Sequence, residues 1–196
     1  VADQDSRRDD FTMSDLQQHG SFWPGVDWSK SRAYSLGLGK IYINLRGREG
    51  QGIVNPGREY EELRDEIIRK ISRLTDPMDG KPIVSVVHKA DHIFTGPRVP
   101  EAGDLVIGFH MGYRVSWQTA LGGFPEEVVE DNKRKWSADH CSINSEFAKG
   151  VFLSSERYRG VSEESNPEII DLAPTILRHL DVDIPKDIDG KPLQEK

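Results

Sequence analysis

The side chains with the widest chemical range in this sequence are six histidines, His19, His88, His92, His110, His140 and His179, and one cysteine, Cys141. Two of the histidines directly follow an aspartate, in Asp91-His92 and Asp139-His140. A neutral imidazole beside carboxylate oxygen is the donor pair that zinc and similar divalent ions take. Adjacent side chains diverge on a strand and converge only in a loop, so the surroundings of each pair decide its meaning. Asp91-His92 stands in KADHIFTG, an ordinary strand exit. Asp139-His140 stands in KWSADHCSINSEFAKGVFLSS, a polar loop that runs into an apolar strand. Ligands gather at such sheet edges in α/β proteins.

The other candidates read as structural. Cys141 adjoins His140, but neighbouring residues rarely hold one ion together, and a lone cysteine excludes an internal disulfide and a four-cysteine zinc site. His88 ends a predicted strand and His110 follows one, both places for a packed or solvated ring. His179 falls in the last turn of a predicted helix, where a cation complements the dipole. Arg114, near Trp117, reads either as a bidentate phosphate ligand or as a cation stacked on the indole.

The elements that must position these groups follow from patterning. Residues 1–30 are polar and weakly patterned and form a separate N-terminal segment, although Phe22, Trp23 and Trp28 read as docked on the body. From 31 to 196 the chain reads as one α/β domain. Tyr34–Leu38 and Lys40–Leu45 are two short strands, or one broken by a glycine bulge. The glycines from Gly47 to Gly57 mark a flexible loop that matches no phosphate-binding motif. Arg58–Leu74 is the clearest helix: Tyr60, Leu63, Ile67, Ile71 and Leu74 form one stripe, and Pro77 stops it. The apolar runs Ile83–Val87 and Leu105–Phe109 read as strands covered on both faces, with Val151–Ser154 as a third. A last helix is expected over Asp171–Leu180, capped by Asp171, with Leu172, Ile176 and Leu180 buried.

Composition narrows the classes. The chain has 196 residues, with 26 Lys and Arg against 33 Asp and Glu, for a net charge of −7. That field disfavours a nucleic-acid polymer as partner. With 36% hydrophobic and 30% charged residues, the composition is that of a soluble globular chain. No apolar run reaches the roughly 20 residues of a membrane span, and the charged start, VADQDSRRDD, carries no signal-peptide core.

Several motifs carry a resemblance. GVFLSSERY, then EIIDLAPTILRHLDVDIPKDIDGKPL, resembles the C-terminal end of the alkaline phosphatase superfamily, through Asp171-Leu172-Ala173-Pro174-Thr175 and Asp189-Gly190-Lys191-Pro192-Leu193. DWSKSRAYSLGLGKIYINLRGREGQGIV, DLVIGFHMGYRVSWQTALGG and RKWSADHCS look like the type I phosphodiesterase/nucleotide pyrophosphatase branch. Together these segments span residues 27–193, nearly the whole chain.

The resemblance implies an alkaline-phosphatase-like mixed sheet with flanking helices, of which this chain would be the C-terminal portion. It implies a metal-dependent phosphodiester or nucleotide-pyrophosphate hydrolase acting on a nucleotide or another phosphate ester. Members hold two divalent ions, usually zinc, on aspartates and histidines, beside a Thr or Ser nucleophile. His140 matches the last histidine of that set and is the expected metal ligand, with Asp139 orienting it. Ala138 departs from the glycine that relatives carry there. Nothing in residues 1–31 matches the nucleophile or the remaining ligands, which in the family lie upstream. The chain alone is therefore expected to be inactive, with an N-terminal half of the same enzyme as its partner and an open sheet edge through which copies could pair. Two alternatives stand beside this one: a sulfatase-type member of the superfamily, and a non-catalytic α/β module that binds a ligand or partner chain.

Overall fold

The computed structural model describes residues 26–116, 119, 127–133, 142–159 and 167–195. These form two compact units, one ending at Ala148 and the other running from Lys149. Within the first unit, four strands make a sheet in the order β1-β2-β4-β3: β1 (Ala33–Tyr34), β2 (Lys40–Ile43), β3 (Val84–Lys89) and β4 (Leu105–Phe109). Every pairing in it is antiparallel. With its helices this makes a mixed α/β arrangement, built on an open antiparallel sheet.

β1 and β2 form a hairpin, with Tyr34 opposite Tyr42. The break between them is wider than the sequence suggests, and its cause is local. Gly37, Leu38 and Gly39 all take positive φ, at 85°, 55° and 67°. Three such residues in a row cannot continue a strand, and the turn closes with the Lys40 amide donating to the Gly37 carbonyl at 3.2 Å.

Helix α1 (Arg58–Ile71) realises the predicted stripe. Leu63 is buried against Ile43 and Val54, with Ala33, Ile53, Tyr60 and Ile67 packed around them. Glu59 and Glu61 lie in its first turn, Arg69 and Lys70 in its last, in keeping with the dipole. The Glu59 carboxylate also reaches back to accept from the Asn55 backbone and side-chain amides. The helix ends one turn early because the Leu74 carbonyl accepts from the Ile83 amide and Thr75 pairs with Pro82, drawing the chain into the sheet side. Leu74 is consequently exposed.

The loop from Gly47 to Gly57 is folded back on itself. Buried Asn44 donates its amide to the carbonyls of Trp28, Ser31 and Gln51 at 2.9–3.1 Å. The Arg46 amide donates to Val54 at 2.9 Å, closing the base. β3 runs into the single turn α2 (Ala90–Ile93), and a 3₁₀ turn spans Val99–Glu101 before β4. The expectation of strands covered on both faces is not met among the described residues. In β4, Leu105 and Gly108 are buried while Val106, Ile107 and Phe109 are half-buried.

The unit from Lys149 contains a short pair, β5 (Tyr158–Arg159) with β6 (Gln194–Glu195), and helix α3 (Leu172–His179) entered through a 3₁₀ turn over Ile169–Asp171. Two expectations are corrected here. Val151–Ser154 is not a strand: it has no ladder partner among the described residues, and Val151 and Leu153 are 86% and 88% exposed. In α3 the buried residues are Pro174 and Thr175, whereas Ile176 and Leu180 are exposed. The apolar stripe misleads because the two residues this helix buries, Pro174 and Thr175, fall between its positions, and Thr175 is held by hydrogen bonds.

Candidate functional site

Residues 134–141, with Asp139, His140 and Cys141, lie outside the described residues, but those that follow do not. Directly after it, Ile143 pairs in parallel with Phe109 at the end of β4. The Phe109 amide donates to the Ser142 carbonyl at 2.7 Å, and the Asn144 amide donates to the Phe109 carbonyl at 3.1 Å. Asn144 Nδ2 also donates to Ser85 Oγ on β3 at 2.9 Å. Ser142 takes φ of 71°, a costly conformation outside glycine. Gly39 makes room for it: a Cβ there would meet the Ser142 side chain at 2.7 Å. Ser142 and Asn144 are thus fixed on two strands, β4 and β3, at the end of β4 where His110 stands. His110 stacks on Phe147 with ring centroids 5.5 Å apart, and beside them lies a largely apolar cleft of about 260 Å³ between Lys81, Met111 and Tyr113. Tyr113 donates to Asp76 at 2.8 Å, and that carboxylate raises its pKa to about 12.

A buried ionic group centred on Asp104 joins the hairpin to its neighbours. Asp104, 4% exposed, accepts from the Ile43 amide at 2.6 Å and from Tyr60 at 2.6 Å. Arg48 grips both of its oxygens, at 2.9 and 2.7 Å, and donates as well to the Ile43 carbonyl. Burial works to raise the Asp104 pKa, but Arg48, the Ile43 amide and Tyr60 outweigh it and hold the carboxyl below the usual range. Tyr60 is pushed up by burial and by the same carboxylate. All of the carboxylate's partners are protein groups, so the cluster fixes β2, α1 and β4 rather than offering a free acid or base.

Asp91 has a structural partner too. It accepts from Arg64 at 2.6 Å, and that bond is the main cause holding its pKa down. Arg64 also bonds Glu61 and lies 4.4 Å over the Tyr60 ring. Lys89 joins this cluster through Glu61 and Asp65, at 3.0 and 2.6 Å. His92 beside Asp91 is exposed, as are His88 and His179. Arg114 is half-buried, while Trp117 lies outside the described residues.

In the unit from Lys149 the two motif segments are tied to each other. Asp171 accepts from the Lys191 amide at 2.8 Å and from the Glu168 amide at 3.0 Å; these bonds, Lys191 first, hold its pKa down. It caps the 3₁₀ turn rather than α3. Thr175 Oγ1 donates to the Asp171 carbonyl at 2.5 Å and accepts from the Leu193 amide at 2.9 Å. Gly190 lies so close to Ile170 that a Cβ would overlap the Ile170 carbonyl.

Among the described residues, no group of three or more His, Cys, Asp or Glu is placed to hold a metal ion. The described side chains therefore supply no complete donor set for one. No helix among them is long and apolar enough to cross a membrane. Sequence reasoning missed Ser142, Asn144 and Ser85, whose short polar side chains follow no period; the one signal was Gly39, a glycine among β-formers at a point of close approach. No protein family, curated protein or solved structure matches the chain.

Proposed function

We propose that this chain is the C-terminal part of a metal-dependent hydrolase of the type I phosphodiesterase/nucleotide pyrophosphatase kind, with an alkaline-phosphatase-like sheet. The observation that carries the reading is the pairing of the two superfamily motifs. The Asp-Leu-Ala-Pro-Thr helix start and the Asp-Gly-Lys-Pro-Leu turn, 18 to 20 residues apart, meet through Asp171 to Lys191 and Thr175 to Leu193. Three of the motif residues have definite physical tasks there. Asp171 needs its carboxylate, Thr175 its hydroxyl, Gly190 its missing Cβ.

In this reading His140 is a metal ligand, Asp139 orients it, and the substrate is a nucleotide or another phosphate ester. Metal ions in such a hydrolase activate the nucleophile and steady the departing oxygen. In this reading the nucleophile and the other ligands come from the N-terminal half of the same enzyme, upstream of residues 1–196. The contribution of the described residues is positional: Phe109, Asn144, Ser85 and Gly39 fix where the His140 loop returns to the sheet. Rigid support of this kind keeps a ligand within reach of its ion.

The test starts from the native polypeptide, detected in source cells with an antibody against this chain. The expected band lies above 22.1 kDa, and the purified species hydrolyses bis(p-nitrophenyl) phosphate in a chelator-sensitive way. His140→Ala should lower that rate by at least about a hundredfold, since even the outer partners of metal ligands are worth 10–100-fold. A band at 22.1 kDa, or full activity in the variant, would overturn the reading and leave a binding module.

A further inference from the structure

We propose that the corner between Trp28, Tyr34 and Glu49 binds a small alkylammonium ion, such as the trimethylammonium group of a choline compound. The site is independent of the hydrolase reading. The Trp28 and Tyr34 rings meet nearly at right angles, 88°, with centroids 5.3 Å apart. Tyr42 stacks on Tyr34 at 5.3 Å and 16°, holding the phenol ring in place. Together with Asn44, Glu49, Gly50 and Gln51 the two rings line a cleft of about 320 Å³. A cation in the cleft meets the negative quadrupole of an aromatic face, on Tyr34 the face that Tyr42 leaves uncovered.

The charges agree with that occupant. Arg48 carries one positive charge against the carboxylates of Asp104 and Glu49, leaving the cluster one negative charge in excess. Its guanidinium fork is committed to Asp104, with Nε on Glu49 at 2.9 Å. The Glu49 side chain, 24% exposed, brings that excess charge to the cleft, held on Arg48 Nε and beside the Tyr34 phenol, whose pKa is raised by burial and then by this carboxylate. Hydroxyl-rich ligands fit less well. The Asn44 amide, which would be their donor, is spent on the carbonyls of Trp28, Ser31 and Gln51. Those same bonds clamp both walls of the cleft, so the corner is preorganised rather than formed on binding. Elsewhere the protein fills an aromatic face with its own cation, Arg64 over Tyr60. Among the described residues no cation is so placed over Trp28 or Tyr34.

The experiment is an NMR titration of the isotope-labelled chain with choline chloride and, separately, with its neutral carbon isostere, in which tert-butyl replaces trimethylammonium. Choline should shift the Trp28 indole N–H and the amides of Glu49, Gly50 and Gln51 saturably. The isostere should need roughly tenfold or more higher concentration, because it lacks the attraction to ring faces and carboxylate. Glu49→Gln should weaken choline several-fold while leaving the isostere unchanged. Equal saturation by both compounds, shifts confined to other regions, or no shifts would overturn the proposal. If Glu49→Gln does not fold, the comparison of the two compounds on the unsubstituted chain decides alone.

Discussion

The two units hold themselves together by different physics. Up to Ala148, apolar side chains from α1, β1 and β2 meet around Ile43, and a buried ion pair ties β4 to them. From Lys149 on, the buried residues of α3 are a proline and a threonine, and the contacts that set the geometry are hydrogen bonds on Asp171 and Thr175. Apolar burial tolerates changes of shape, since it scales with area. A hydrogen-bonded centre does not, because each donor left unpaired costs its full desolvation. Outside the Asp104–Arg48 pair, the second unit should therefore be more sensitive, residue for residue, to small polar changes and less sensitive to apolar ones.

The sharpest way to break that comparison is at Asp104. Asp104→Ala strands Arg48 and the Ile43 amide, and losing one partner of a buried pair costs about 3–5 kcal/mol. Urea unfolding followed by far-ultraviolet circular dichroism measures this directly. A loss below about 1 kcal/mol, the worth of a surface pair, would mean that the apolar cluster alone holds the first unit. Thr175→Val keeps the shape and removes both hydrogen bonds, so it should cost about 1–3 kcal/mol. Hydrogen exchange should then accelerate at Leu193 and leave the Ile43 amide unchanged.

Acid should act on both units through depressed carboxyls. The pKa values of Asp104 and Asp171 lie below the unperturbed 3.8. Their stabilisation is thus complete above that value and is lost as pH falls through the lower folded-state value. The Lys191 amide should report an Asp171 midpoint below 3.8 in an NMR titration, and Asp171→Asn should abolish the transition. A midpoint above 3.8 would show that the Asp171 bonds do not form in solution. The smallest effect is expected at Ile176, which is 57% exposed. Ile176→Ser should change stability by no more than about 0.5 kcal/mol, as surface substitutions do, and a larger loss by thermal melting would place that side chain in a contact.

These differences also explain how much was legible in the sequence. Helix α1 and strand β4 were readable because Leu63 and Leu105 lie in patterns that apolar burial itself creates. The end of α1 was not, since it depends on Thr75 meeting Pro82, a pairing that no local pattern records. In α3 the period-based reading selected Ile176 and Leu180, but the helix packs through Thr175. Val151–Ser154 has the composition of a strand without a described neighbour to pair with. Of the candidate site, His140 was named through a resemblance, while its anchors Asn144 and Ser85 escaped notice. Side-chain hydrogen bonds between residues 59 positions apart leave no mark on hydropathy.

The stitch at Phe109 has a consequence for how this protein can change over time. The chain leaves β4 at Phe109 and returns at Ser142 through bonds to that same residue's amide and carbonyl. Fixing both ends on one residue makes the length between them matter little: doubling a flexible loop adds only about 0.6 kcal/mol of closure entropy. Insertions and deletions between the two ends can therefore accumulate without loosening the strands. The frame of β3 and β4 thus constrains where the two ends stand and not how many residues separate them.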